Sequence, residues 1–135
     1  MGKTFDSDKA IDDCSLTPWT VWRRGEKKWR LSERLNENSG ASFVVSEASG
    51  GQIPVQVSDA VDFIITHKSE LSRIISSDGV EHAYLDFGWD FPYERCQAQW
   101  NFFPIDLLKL CSELGLSVCV SVYACSEGDK SDAES

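Results

Sequence analysis

Between Ala83 and Phe102 the chain alternates apolar and polar side chains so regularly that few arrangements can accept it. Ala83, Leu85, Phe87, Trp89 and Phe91 fall on one side of an extended backbone, and His82, Tyr84, Asp86, Gly88 and Asp90 fall on the other. After Pro92 to Glu94, Cys96, Ala98, Trp100 and Phe102 alternate with Arg95, Gln97, Gln99 and Asn101. A repeat of two residues marks a strand with one buried and one wet face. Two such runs joined by a short Pro-containing loop predict a β-hairpin, whose apolar face needs a roof.

The flanking sequence offers that roof. Ala41 to Ala48 is a strand candidate centred on Phe43-Val44-Val45, and Ser49-Gly50-Gly51 breaks it. A helix is predicted from Ser58 as N-cap, with Asp59 and Asp62 placed to favour its dipole. Val61, Ile64, Ile65, Leu71, Ile74 and Ile75 recur at helical spacing, and Asp78-Gly79 supplies a left-handed stop. Pro104 suits the first turn of a second helix, with Leu107, Leu110, Cys111 and Leu114 as its stripe and Gly115 as its end. Val118, Val120 and Val122 then alternate with Cys119, Ser121 and Tyr123 in a last strand.

The order β-α-β-β-α-β predicts an α+β, ferredoxin-like split βαβ fold. It would hold a four-stranded antiparallel sheet with two helices on one face. The 135 residues fit a single domain. Residues 1–40 read as an N-terminal extension with a short helix capped at Asp6 to Asp8, residues 41–125 as the core, and 126–135 as a disordered acidic tail. The second sheet face stays open unless residues 1–40 or a partner cover it.

Charge narrows the partners. The chain carries a net −9, yet between Arg23 and Arg34 six cations stand against Glu26 and Glu33, a local +4 in a remainder of −13. An acidic surface repels phosphate backbones, so no nucleic acid is expected, and it favours basic protein surfaces instead. No apolar run approaches the ~20 residues that span a bilayer, so no membrane partner is expected. The start Met1-Gly2-Lys3-Thr4-Phe5-Asp6 turns acidic where an export leader needs an apolar run, and the five cysteines form no C-x-x-C. A cytoplasmic location with free thiols is therefore expected.

Several stretches carry a resemblance. They are Leu16-Thr17-Pro18, Val21-Trp22-Arg23-Arg24-Gly25-Glu26, Ser39-Gly40-Ala41-Ser42-Phe43, the long helix from Ser58, and the closing Leu107–Tyr123 helix and strand. In these the chain resembles a family of small, mostly bacterial domains of unknown function. The resemblance implies an immunity protein or partner in a bacterial toxin system, with no catalytic residue and no cofactor.

Two surfaces are candidate contact sites. In the basic stretch, Trp19, Trp22 and Trp29 stand among Arg23, Arg24, Lys27, Lys28 and Arg30. Trp and Arg dominate interface hot spots, although such tryptophans also pack inward while the charges stay wet. Stacking of bases there is a weaker option. On the open sheet face, Tyr84, Asp86, Asp90 and Tyr123 project together. Asp86, Asp90 and His82 would serve a small enzyme or ligand site only within a pocket; on a flat face they are ordinary polar positions. His67 and His82 lack any Cys or His at metal-ligand spacing, and no nucleophile motif occurs. Cys96 and Cys111 read as packing thiols, and Cys119 and Cys125 as strand residues opposite the valines. The function expected is a non-catalytic, immunity- or adaptor-like binding protein that masks a protein partner or self-associates. The alternative is a small enzyme or ligand-binding domain using the acidic sheet face.

Overall fold

Strand pairing in the computed structural model, which describes residues 1–126, departs from the hairpin that alternation predicts. Eight elements follow in order: α1 (Ser7–Asp12), β1 (Thr20–Trp22), β2 (Gly40–Ser42), α2 (Ile53–Thr66), α3 (Lys68–Ile75), β3 (Tyr84–Pro92), α4 (Ile105–Leu114) and β4 (Ser117–Cys125). The class is mixed α+β, with two sheets of two strands each, β1–β2 and β3–β4. A four-stranded ferredoxin-like sheet is not what the described residues form. They gather into two compact units, Met1–Val44 with Thr66–Ala83, and Val45–Ile65 with the segment from Tyr84 onward. Most of the expected acidic tail, from residue 127, lies outside the described residues.

The first unit is held largely by backbone hydrogen bonds. Gly2 and Ser39 exchange two N–H···O bonds of 3.0 Å, and the Met1 carbonyl accepts from the Glu81 and His82 amides at 2.9 and 3.0 Å. Residues 1–3 thus lie as an extended segment between residues 39 and 81–82, satisfying polar groups on both sides. Only glycine fits at position 2, because a Cβ there would meet the Gly79 carbonyl oxygen. Gly79 is itself left-handed, at φ +84°, and a Cβ on it would come within 2.6 Å of the Phe5 nitrogen. α1 starts as the sequence predicts, with the Asp6 carboxylate accepting from the Lys9 amide at 3.1 Å. β1 and β2 pair antiparallel with Val21 opposite Ala41. The strand predicted over 41–48 is therefore cut to its first residues: β1 pairs only as far as Ser42, and Phe43 onward has no strand partner.

In the second unit β3 and β4 run parallel for nine residues, Tyr84 opposite Ser117 through Pro92 opposite Cys125, with α4 as the crossover. β3 keeps the predicted parity: Leu85, Phe87 and Trp89 are buried while Tyr84 and Asp86 are exposed. The second hairpin strand does not form. The Arg95 and Cys96 amides bond back to the Pro92 carbonyl, and no regular structure follows up to Pro104. Trp100 and Phe102 stand in water at 79% and 88% exposure. Phe103 takes the inward place, with its ring centroid 5.2 Å from Phe87 and 5.5 Å from Trp89. The adjacent aromatics Phe102-Phe103 cannot both face inward from an extended chain, and the core selects the second.

α4 matches its stripe, burying Leu107, Cys111 and Leu114. Gly115 at φ +76° closes it, with the Leu116 amide returning to the Cys111 carbonyl at 2.8 Å. α2 begins five residues before the predicted Ser58 cap. Pro54 sits in its first turn, where a missing N–H costs nothing, and the Gln52 side chain accepts from the Ser49 amide at 3.0 Å. The inward face is then Gln56, Ala60 and Ile64, at a spacing of four. The long helix is also not continuous, since His67 separates α2 from α3.

Candidate functional site

The basic stretch folds into a closed hairpin-like loop in the first unit. Gly25 turns the chain at φ +85° and donates its N–H to the Asn36 carbonyl at 2.9 Å. Asn36 and Lys28 return bonds to Glu26 and Arg34 at 2.7 and 3.0 Å, around a bridge between Lys27 and Leu35. At the tip, buried Ser32 donates its amide to the Trp29 carbonyl and accepts from the Arg34 amide through its hydroxyl. The backbone is thereby tied down, while Arg24, Lys27, Lys28, Arg30 and Arg34 all remain exposed. Trp29 is 61% exposed and Leu31 85%, and Trp19 at the foot of the loop is 76% exposed. Large apolar groups held in water on a loop that exposes cations form an unusual surface, because exposing them forgoes the free energy of burial.

The sequence grouped Trp22 and Arg23 with these residues, and the structure gives both structural work. The Trp22 indole N–H donates to Asn38 Oδ1 at 3.0 Å, and its ring occupies the space a Cβ on Gly40 would need. Arg23 grips Asp8 through two bonds of 2.7 and 2.6 Å and reaches Glu26 at 3.6 Å. That guanidinium holds the Asp8 carboxyl below the ordinary carboxylate range, and Asp8 in turn pushes Arg23 higher still. Trp19, Arg24 and Trp29 remain as outward-facing candidates.

The four sheet-face candidates lie on β3 and β4 of the second unit. Tyr84 and Tyr123 are exposed near opposite ends of the pair. Asp86 accepts from the Ser121 hydroxyl at 2.9 Å, across the strands. Cys119, opposite Asp86 in register, has its thiol pushed up by partial desolvation and then by that carboxylate, so it stays protonated at neutral pH. Asp90 packs its carboxylate over Gly50, where a Cβ would meet Oδ1 at 2.5 Å. His82 belongs to the first unit, where its amide serves the Met1 carbonyl. Among the described residues no three His, Cys, Asp or Glu side chains are placed to share a metal ion. Burial pushes the Cys111 thiol up, in keeping with a packing role, and Cys125 is buried as well.

Sequence reasoning missed one feature of the second unit. Ile53, Val57, Val61 and Asp62 of α2 line a groove of about 540 Å³ together with Trp100, Phe102 and Pro104. Pro54 as a helix start, and the Phe102-Phe103 pair, were the signals that could have found it. Among the described residues no helix is long and apolar enough to cross a membrane. No family model, no curated protein and no solved structure matches the chain.

Proposed function

We propose that this chain is a non-catalytic binding protein, immunity- or adaptor-like, that acts in the cytoplasm by covering a surface of a protein partner. One observation carries the reading: Trp29 and Leu31 are held in water on a hydrogen-bonded loop that also exposes Arg24, Lys27, Lys28, Arg30 and Arg34. A pre-ordered loop loses little entropy on docking, so its aromatic and arginine side chains contribute most of their contact energy to affinity. Trp19, Arg24 and Trp29 meet the partner. Trp22 and Arg23 set the loop's position through Asn38 and Asp8. The local +4 selects an apolar patch with an acidic rim, while the acidic remainder of the chain favours a partner that is basic elsewhere.

Affinity capture from the chain's own cell extract tests the reading. The wild-type chain retains a partner that Trp29→Ala and Arg30→Glu release, that Tyr123→Ala keeps, and that added salt weakens. Capture of the same proteins by wild type and Trp29→Ala would remove the loop as the contact.

A further inference from the structure

The two edges of the β3–β4 sheet are unequal. β3 has an occupied outer edge: the Asp90 amide donates to the Gly50 carbonyl, and the Gly88 carbonyl accepts from Gln56 Nε2, both at 3.0 Å. β4 has a bare one. Among the described residues, no group outside β3 hydrogen-bonds to the β4 backbone. Parallel strands are ordinarily covered, and a two-stranded sheet is marginal by itself.

Proteins protect free edges with charge, proline, bulges or short strands. β4 uses none of these. Its nine residues, Ser117-Val118-Cys119-Val120-Ser121-Val122-Tyr123-Ala124-Cys125, hold no charged side chain and no proline, and its register against β3 is unbroken. Val122 and Tyr123 are 62% and 61% exposed.

We propose that β4 pairs edge to edge with β4 of a second copy of this chain, antiparallel across a twofold axis, to give a sheet ordered β3-β4-β4-β3. Charge leaves this edge open to a second copy. Each of the other elements lying mostly or wholly in the second unit carries carboxylates: Asp59 and Asp62 on α2, Asp86 and Asp90 on β3, Asp106 and Glu113 on α4. A second copy is repelled along those surfaces and meets no charge along β4. A twofold axis requires a strand to meet itself antiparallel. With Ser121 on that axis, Val120 lies opposite Val122 of the other copy, Val118 opposite Ala124, and Cys119 opposite Tyr123. Inner-face residues then meet inner-face residues, as the period of two demands. The β3 carboxylates of the two copies end up three strand spacings apart, about 14 Å, beyond the ~8 Å screening length at physiological salt.

Sedimentation equilibrium of the full chain over a range of concentrations tests this. A dimer is expected that tightens with added salt, because the remaining long-range repulsion is screened. Val122→Lys, at an exposed side chain, weakens it about tenfold or more, as an edge lysine does, while Trp29→Ala leaves it unchanged. Hydrogen exchange on the wild-type chain gives a second reading that needs no variant: β4 amides gain protection as protein concentration rises. A monomer at every concentration overturns the proposal. So does a dimer that survives Val122→Lys or is lost on Trp29→Ala, and so does β4 protection that is independent of concentration.

Discussion

The two compact units divide the labour of stability in opposite ways. The first carries ten acidic and ten basic side chains; the second carries twelve acidic and three basic, which is the entire net charge of the molecule. The balanced unit buries few large apolar side chains and depends on backbone pairing, a bidentate ion pair and two glycines that interlock at van der Waals limits. The acidic unit packs Leu85, Phe87, Trp89, Ile64 and Leu107 into a conventional apolar core. Core packing tolerates like charge at the surface, since hydrophobic burial is indifferent to sign. Small polar scaffolds lack that reserve and rely on complementary charge and exact backbone fit. The exposed basic loop sits on the unit whose remaining charge can balance it.

Phe87→Ala gives the largest effect expected from this contrast. It removes a ring that is 4% exposed and contacts both Trp89 and Phe103, and core losses of this kind cost about 3–5 kcal/mol. Urea denaturation measures it, and a loss below about 1 kcal/mol would show that packing is not what holds the second unit. Gly79→Ala comes next, at about 2–3 kcal/mol, from the left-handed backbone together with the clash at Phe5. Amide exchange then rises at Gly2 and Ser39 first, as their paired bonds open; protection unchanged there would break the picture of an interlocked first unit.

Gln56→Leu costs about 1–2 kcal/mol, because its amide ties the Ser49 and Gly88 carbonyls at 2.9 and 3.0 Å. The substitution also removes Gln56 Oε1, a buried acceptor with no partner, which limits the loss. A stability unchanged or increased in thermal melts would mean that this polar tie adds nothing to the second unit. The smallest effect belongs to Asp8. Its carboxyl is held low by Arg23, so its contribution is complete above the ordinary carboxylate pKa near ~4 and disappears as pH falls through the lower folded-state value. Asp8→Asn lowers the urea midpoint slightly at neutral pH and removes that acid-side dependence. A pH profile identical to wild type would show the ion pair to be idle.

How much of this was legible follows from which forces are local. The inward parity of Leu85, Phe87 and Trp89, the α4 stripe with its Gly115 stop, and the Asp6 cap are short-range patterns, and each appears where the sequence places it. Strand partners are long-range choices. Alternation from Cys96 to Phe102 describes a strand only if another strand pairs with it, and β3 instead took β4 across a helix. The interlock of Gly2 with Gly79 had no local signal at all, because it joins residues 77 apart. Of the contact candidates, the exposure of Trp19 and Trp29 could be weighed in advance but not decided. The structural duties of Trp22 and Arg23 depended on Asn38 and Asp8, distant partners that spacing does not reveal.

The interleaving of the two units bears on how the chain matures during synthesis. It crosses from one unit to the other after Val44, after Ile65 and again after Ala83. The first unit therefore cannot close until residue 83 has been made, and by then the growing chain already holds an unfinished stretch of the second. That stretch, which includes most of α2, waits for β3, α4 and β4 to arrive in turn. Nascent chains shorter than about 120 residues would thus carry Ala60 and Ile64 without a finished core to receive them, and Ile53, Val57 and Val61 without the rest of their groove, a window in which a chaperone has something apolar to hold.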